Sequence, residues 1–510
     1  MRNPAISSAL CLGAALLSAH AGAQTVLYPN TAPRAQFTVI AGSNVGAPSG
    51  RFWGGSATDG TSLFVSGGRL SDAAGNAGSV YYNGLYGYNP TANAWTTLSP
   101  EGDPNAPGIG FRQAMAFDPT GNRLVVYGGV SAAPTATTTT YSTCHAFDLT
   151  SNTWSQIPNP TPGTTGPLAL FDAKMAFDPA SGSLVLFGGQ ATNVNTSRVG
   201  DTWLLSGTTW TQVTGLTPGV DTPTARALHA MCTRTGPYGD VILVGGQSTA
   251  NVNNTETWRW NGTAGSWSPI APANASVPAT WASGQEMVYD SIRDVLVIIG
   301  GPGTNVAPSN TTAAGGWVSE YDNVTNTWRA FGAASQATAD PVIGTLQRFP
   351  AAFVNGAVHF WYGQNPSSVG DSTLSSVKSY QANPLASALP YGSGCNGLAL
   401  AAGSAPWGGR DWTLTGSGFG ATALGALVIS LAQASGQLPP PGQTGCDLLV
   451  DPNLPLLTVL LLPSAGSASY TVSLPIAAVY GGLPLDSQMF SLDSGLLFSS
   501  NGIAGLLGAN

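Results

Sequence analysis

The run SLFVSGG closes on Gly68, and the same form, an apolar stretch ending in two glycines, returns as RLVVYGG at Gly129, SLVLFGG at Gly189, DVILVGG at Gly246 and VLVIIGG at Gly301. The spacing is about 60 residues. A second marker follows each doublet: an aromatic residue, a turn and then Trp, as in YGYNPTANAW at Trp95, HAFDLTSNTW at Trp154, WLLSGTTW at Trp210, WRWNGTAGSW at Trp267 and SEYDNVTNTW at Trp328. The two markers keep phase. One supersecondary unit is therefore built several times over, and each copy can bury its apolar face only against its neighbours.

Each copy reads as four strands. A first strand such as QAMAF leads through a turn such as DPTGN to the strand that closes on the glycines; a third carries the aromatic and a fourth carries Trp. Charged residues are 8% and glycines number 66, with Thr, Ser, Asn and Pro plentiful, a mix that suits short strands and turns rather than helices. The expected class is all-β, with each copy a propeller blade. The pattern resembles the kelch repeat, whose signature is an apolar strand ending in a glycine doublet followed by spaced Tyr and Trp. MAFDPASGSLVLFGG and DTWLLSGTTWTQ look similar to the bacterial secreted kelch type, and the kelch resemblance covers about residues 34–383. The resemblance implies a β-propeller and leaves activity open.

A sixth copy, FPAAFVNGAVHFWYGQ followed by SSVKSYQANP, has three strands and stops before its Trp strand. Near the N-terminus, AQFTVIAG has the form of an orphan fourth strand with Phe37 at the Trp position. A six-bladed kelch-type β-propeller over residues 24–390, closed by Gln36 to Ala41, is expected, because closure removes the open sheet edges that invite aggregation. Beyond about Pro390 the periodicity ends. Residues 391–510 carry short apolar runs such as ALVISLA, LTVLLL and SYTVSLP between Gly and Pro, which suggests a small β-sandwich. YGSGC, WTLTGSGFG and LPPPGQTGCDLLVD look similar to a C-terminal module found in exported proteins of planctomycetes and related bacteria, a resemblance that implies no defined activity.

Residues 1–23 read as a secretory signal, with Arg2 as the positive region, Ala5 to Leu17 as the apolar core and Ala21-Gly22-Ala23 as the cleavage site. The mature chain is expected to be secreted, extracellular or in the cell envelope, the periplasm included. No membrane span is expected, since the longest later apolar run, Leu454 to Leu462, falls short of the roughly 20 residues a spanning helix needs. Export permits disulfides, and Cys395 with Cys446 is the expected pair; Cys144 and Cys232 read as buried small hydrophobes. A monomer is expected. The net charge of −8 comes from scattered acidic residues, and without a face of clustered Lys and Arg no nucleic-acid partner is expected.

Glycine doublets after strands can cradle phosphate, but a dinucleotide fold needs G-x-G-x-x-G opening a helix, and recurrence in register points to packing instead. The repeated Trp residues read as outer-strand packing, with a sugar-stacking platform as the alternative. Asp118, Asp178 and Asp290 sit where a β-turn favours Asp. His145, His229 and His359 lie on three different copies with no HxH or HExxH, so neither a metal nor a cofactor is expected. The kelch enzyme galactose oxidase needs two His, two Tyr and a Tyr-bonded Cys at its copper, and nothing here matches that set residue by residue.

One set of residues stands apart. Aligned on the first strand, Arg51, Arg112 and Arg348 fall three residues before the Met115 equivalent, with Arg226 two earlier and Lys174 two later. Even offsets put all five on one side by strand alternation, near one mouth of the axial channel, as candidate ligand-binding residues. The alternative is that each Arg satisfies backbone carbonyls between blades. Long polar connections between second and third strands, such as GRLSDAAGNAGSV and QATNVNTSRVG, emerge on that same face, where binding functions concentrate. Such a mouth suits an anionic or polyhydroxylated ligand, for example an acidic glycan. Three readings follow: a binding module for carbohydrate or another cell-surface component; a sugar-converting enzyme, by analogy with six-bladed periplasmic kelch sialic-acid mutarotases; or a purely structural envelope protein. The enzyme reading needs a carboxylate among the cations, and Glu286 is the candidate on the inner strands.

Overall fold

Strands of four to six residues, joined by Asp- and Asn-containing turns, pair with their sequence neighbours into antiparallel sheets. The computed structural model describes residues 35–40, 43, 45–70, 80–131, 139–273, 284–299, 318–331, 349–361, 377–382, 386–474 and 482–508. Among these no α-helix occurs, and no helix is long and apolar enough to cross a membrane. The chain divides at Tyr380 into two units.

The Phe37–Tyr380 unit contains six four-stranded sheets among the described residues. Their first strands are Gly55–Thr58, Ala114–Asp118, Lys174–Asp178, Ala230–Arg234, Glu286–Asp290 and Ala351–Val354. Each first strand packs against those of the sheets before and after it, and the last packs against the first, so the sheets close a circuit: a propeller. Strand Ala35–Val39 is the fourth strand of sheet six, beside Val377–Ala382. Buried Ser43 fixes that seam. Its hydroxyl donates to the Ile40 carbonyl (2.6 Å) and accepts from the Val377 N–H (2.8 Å), while its own carbonyl accepts from Trp95 Nε1 of sheet one (2.8 Å).

Strand alternation divides the side chains of each first strand between two neighbours. Met115, Met175, Met231 and Met287 occupy equivalent positions and pack on the preceding sheet. Unbranched and adaptable, Met fills the uneven gap between twisted sheets, and truncating one to Ala would cost about 2–5 kcal/mol. The repeated Trp residues act as packing at the outer edge: Trp210 meets Tyr127 and Trp267 meets Phe187, each with ring centroids 5.4 Å apart. Asp118, Asp178 and Asp290 close their turns by accepting the N–H two residues on. The glycine doublets press against the next sheet. At Gly188, φ is +63° and a Cβ would sit 2.6 Å from the carbonyl oxygen of Arg226, so a side chain fails there on both counts.

Two residues before the first strand, the backbone turns left-handed on each of the first five sheets: Trp53, Arg112, Asp172, Leu228 and Gly284 have φ between +54° and +75°. These residues are linked in series by main-chain hydrogen bonds. Arg112 N donates to Trp53 O (2.8 Å), Asp172 N to Arg112 O (3.0 Å), Leu228 N to Asp172 O (3.2 Å) and Gly284 N to Leu228 O (2.9 Å). The result is a backbone arc across the first five sheets at one end of the ring.

The C-terminal unit is built differently. A five-stranded sheet, in the order Ser387–Tyr391, Leu496–Leu506, Pro484–Asp493, Leu424–Ser430 and Pro455–Leu461, shares a core with a three-stranded sheet of Ala399–Ala402, Asp411–Ser417 and Ser467–Ser473. Trp412, Leu414, Leu427 and Met489 are fully buried between them, the arrangement of a β-sandwich. The boundary expected at residue 390 falls inside the strand Ser387–Tyr391, which pairs with Leu496–Leu506. Cys395 and Cys446 form a disulfide with Cα atoms 5.3 Å apart. Cys144 is buried and Cys232 partly buried, both unbonded, and burial pushes the Cys232 thiol up to about 12.

Candidate functional site

Each first strand is the edge of its sheet, so one side of its backbone has no partner strand and faces the ring axis. The strands enclose a cavity of about 570 Å³ lined by residues of all six sheets. Side chains that reach it are mostly apolar, Met115, Met231, Met287 and Phe353 among them. At the level where the first strands begin, the equivalent residues are Gly55, Ala114, Lys174, Ala230 and Glu286. Three are small. Lys174 of sheet three therefore reaches past Ala230 of sheet four to Glu286 of sheet five, with Nζ to Oε1 at 2.5 Å, and both side chains keep some exposure to the cavity.

The arginines take other roles. Arg51 and Arg226 are 1% and 0% exposed and share one bonding scheme. Nε donates to the carbonyl two residues upstream (Ser49, 3.0 Å; Thr224, 2.9 Å), and Nη1 to the first glycine of the sheet's own doublet (Gly67, 3.3 Å; Gly245, 3.0 Å). Nη2 pairs with a carboxylate, Glu101 at 2.8 Å or Glu256 at 2.6 Å. Burial alone would raise the Glu101 carboxyl, but Arg51 and the N–H groups of Gly84 and Asn83 hold it below its ordinary range. Both arginines thus satisfy carbonyls of their own sheet rather than carbonyls between blades. Arg112 pairs through two nitrogens with Asp172 of the next sheet and lies over the Trp53 and Phe171 rings. Arg348 lies outside the described residues.

The expectation that all five cations share one side does not survive this geometry. It assumed continuous strand alternation from Arg51 through Lys174, whereas the left-handed residue at Trp53, Arg112, Asp172 and Leu228 breaks the alternation just before each first strand. Of the described four, Lys174 alone lines the cavity, and the carboxylate sought on the inner strands, Glu286, is its partner. His229 is fully buried beneath Gly188 and His359 is 6% exposed, and burial holds both below the ordinary histidine range.

Residues 118–161 match the Kelch motif family. The chain carries a Kelch motif. That segment runs from the Asp118 turn of sheet two through its doublet at Gly129 and past Trp154, the two markers that recur on the other sheets. No curated protein matches the chain. Among the 133 solved chains that match is the structure of YjhT, 14% identical, with 68% of this chain and 96% of that one covered at a TM-score of 0.45.

Proposed function

We propose that the propeller unit is a binding module that receives a small polar ligand in its central cavity, with Lys174 and Glu286 as the reading pair. The observation that carries this is an ion pair set among apolar side chains in a cavity of about 570 Å³. That volume is in the range of small-molecule sites, which combine apolar walls with a few converging polar groups. Unpaired backbone groups of six edge strands add donors and acceptors suited to hydroxyls. A carbohydrate or another polyhydroxylated or anionic molecule fits that chemistry: its hydroxyls or carboxylate would exchange with the ion pair. The Cys395–Cys446 disulfide supports an exported location, where such ligands are met.

Glycan-array screening of the full chain, followed by calorimetric titration of each hit, tests the reading. Wild type is expected to bind a ligand that Lys174→Met and Glu286→Gln each weaken at least tenfold; a ligand bound equally by both variants overturns the cavity assignment. One observation favours a second reading, an enzyme acting on a sugar: Glu286 is a cavity carboxylate beside an ammonium group, the pairing general acid–base chemistry uses. Sugar mutarotation by wild type that is lost in Glu286→Gln would establish it, and equal rates in the two would end it.

A further inference from the structure

Around the mouth the residue just after each glycine doublet bridges to the residue three before the first strand: Arg69 to Phe52, Val130 to Phe111, Gln190 to Phe171 and Gln247 to Ala227. Three of these four junctions are internally settled. Val130 is apolar, and Gln190 and Gln247 both accept hydrogen bonds from Arg198 (3.1 and 3.2 Å). Arg69 is the exception. Its guanidinium carbon lies 4.6 Å from the Trp53 ring centre, 5.0 Å from Phe111 and 5.1 Å from Phe52, and its Nε is buried with no acceptor. Among the described residues it has no carboxylate partner, and its polar neighbour is Tyr81, opposite it on the paired strand.

Arg112 shares the same aromatic support, 4.9 Å from the Trp53 ring centre, and is matched by Asp172. Both guanidinium groups thus lie over one Trp, and Asp172 is paired with Arg112, so the charge of Arg69 is left without a carboxylate beside it among the described residues. Burial lowers the Arg69 pKa, Tyr81 works against that, and the nearby charge of Arg112 adds to the lowering. Among the described residues no anion matches the charge of Arg69.

We infer that the mouth over sheets one and two is a receptor for a single carboxylate, held by Arg69 with Tyr81 alongside. The charge selects the class. A carboxylate brings one negative charge and two coplanar oxygens that match the guanidinium fork, whereas a phosphomonoester brings roughly −1.5 to −2, more than the single charge of Arg69 balances. The inference rests on the reading of the propeller as a binding module, but places recognition outside the cavity that Lys174 and Glu286 line.

Calorimetric titration of the full chain with trigalacturonate and with neutral galactotriose tests it. Wild type is expected to prefer the acidic sugar, Arg69→Gln to lose that preference at least tenfold, and Arg69→Lys to keep part of it. If the acidic sugar gains nothing over the neutral one, or Arg69→Gln binds it as wild type does, the inference fails. Binding lost in Lys174→Met and kept in Arg69→Gln would uphold the cavity reading and overturn this one. Inorganic phosphate displacing trigalacturonate better than acetate does would overturn the assignment to carboxylate. Should Arg69→Gln not fold, the Arg69 Nε resonance of the wild-type chain, labelled with ¹⁵N at arginine, decides: it shifts on titration if the inference holds and stays in place if it does not.

Discussion

The two units close their sheets by opposite means. The propeller repeats one four-stranded sheet and joins the ends of the series through a strand from the far end of the chain, with buried arginines, Arg51 and Arg226, each paired to a partly exposed carboxylate, Glu101 or Glu256. The C-terminal unit uses each strand once, packs an apolar core around Trp412 and adds a covalent clip, Cys395–Cys446, across a sequence separation of 51. A ring is as strong as its seam and indifferent to redox state; a clipped sandwich has no seam but depends on its clip.

That contrast can be broken at either end. The largest effect should follow deletion of residues 24–45, which removes the strand Ala35–Val39 and Ser43: calorimetry should lose the propeller transition and keep that of the C-terminal unit. An unchanged propeller transition would show that the seam is dispensable. Next comes Cys395→Ser, which should cost the C-terminal transition about 4 kcal/mol on the chain-entropy account and leave the propeller transition in place. A shift of both transitions would mean that they are not independent.

Acid should separate the units by sign. His359, with its pKa lowered by burial from 6.5 to about 4, is neutral in the fold, so its contribution is complete above about 6.5 and is lost as pH falls toward 4, to the extent of about 3 kcal/mol. Buried His229 acts in the same direction, and the paired carboxylates of Glu101 and Glu256 extend the loss to lower pH. In the C-terminal unit, which has no histidine from residue 386 on, burial raises the Asp486 carboxyl, and that group favours the fold as pH falls into the carboxylate range. Thermal melts from pH 7 to 4 should therefore show the propeller transition falling faster, with the difference reduced in His359→Gln. The smallest effect expected is at the edge of the sandwich. Leu460 is 83% exposed, so Leu460→Ser should change stability by less than about 0.5 kcal/mol, against about 2–5 kcal/mol for Leu427→Ala, buried in the core.

The architecture was readable because its markers are packing residues. A glycine doublet that must pass close to the next sheet and a Trp that must cover the previous one leave the same trace in each copy, and the orphan strand AQFTVIAG could be recognised by what sheet six lacked. The site was less readable, because its geometry depends on a backbone conformation with little sequence signature. Trp53, Arg112, Asp172 and Leu228 are not residues that announce a left-handed turn; Gly284, at the same place in the fifth copy, was the one available hint. Counting residues across that turn as a continuous strand turned the Arg51 and Arg226 side chains toward the channel, when they are buried against carbonyls of their own sheet. Arg69 was passed over for a related reason. It opens the stretch RLSDAAGNAGSV, read as a loop, yet it is in the short strand Arg69–Leu70, paired with Val80–Tyr81.

The arc that joins Trp53 to Gly284 is made of main-chain groups alone. Five chemically unlike residues, an indole, a guanidinium, a carboxylate, an isobutyl group and a hydrogen atom, occupy the same station on it. Its side chains are therefore interchangeable parts on a common mount, so the chemistry of the rim can be respecified one position at a time without redrawing the frame beneath.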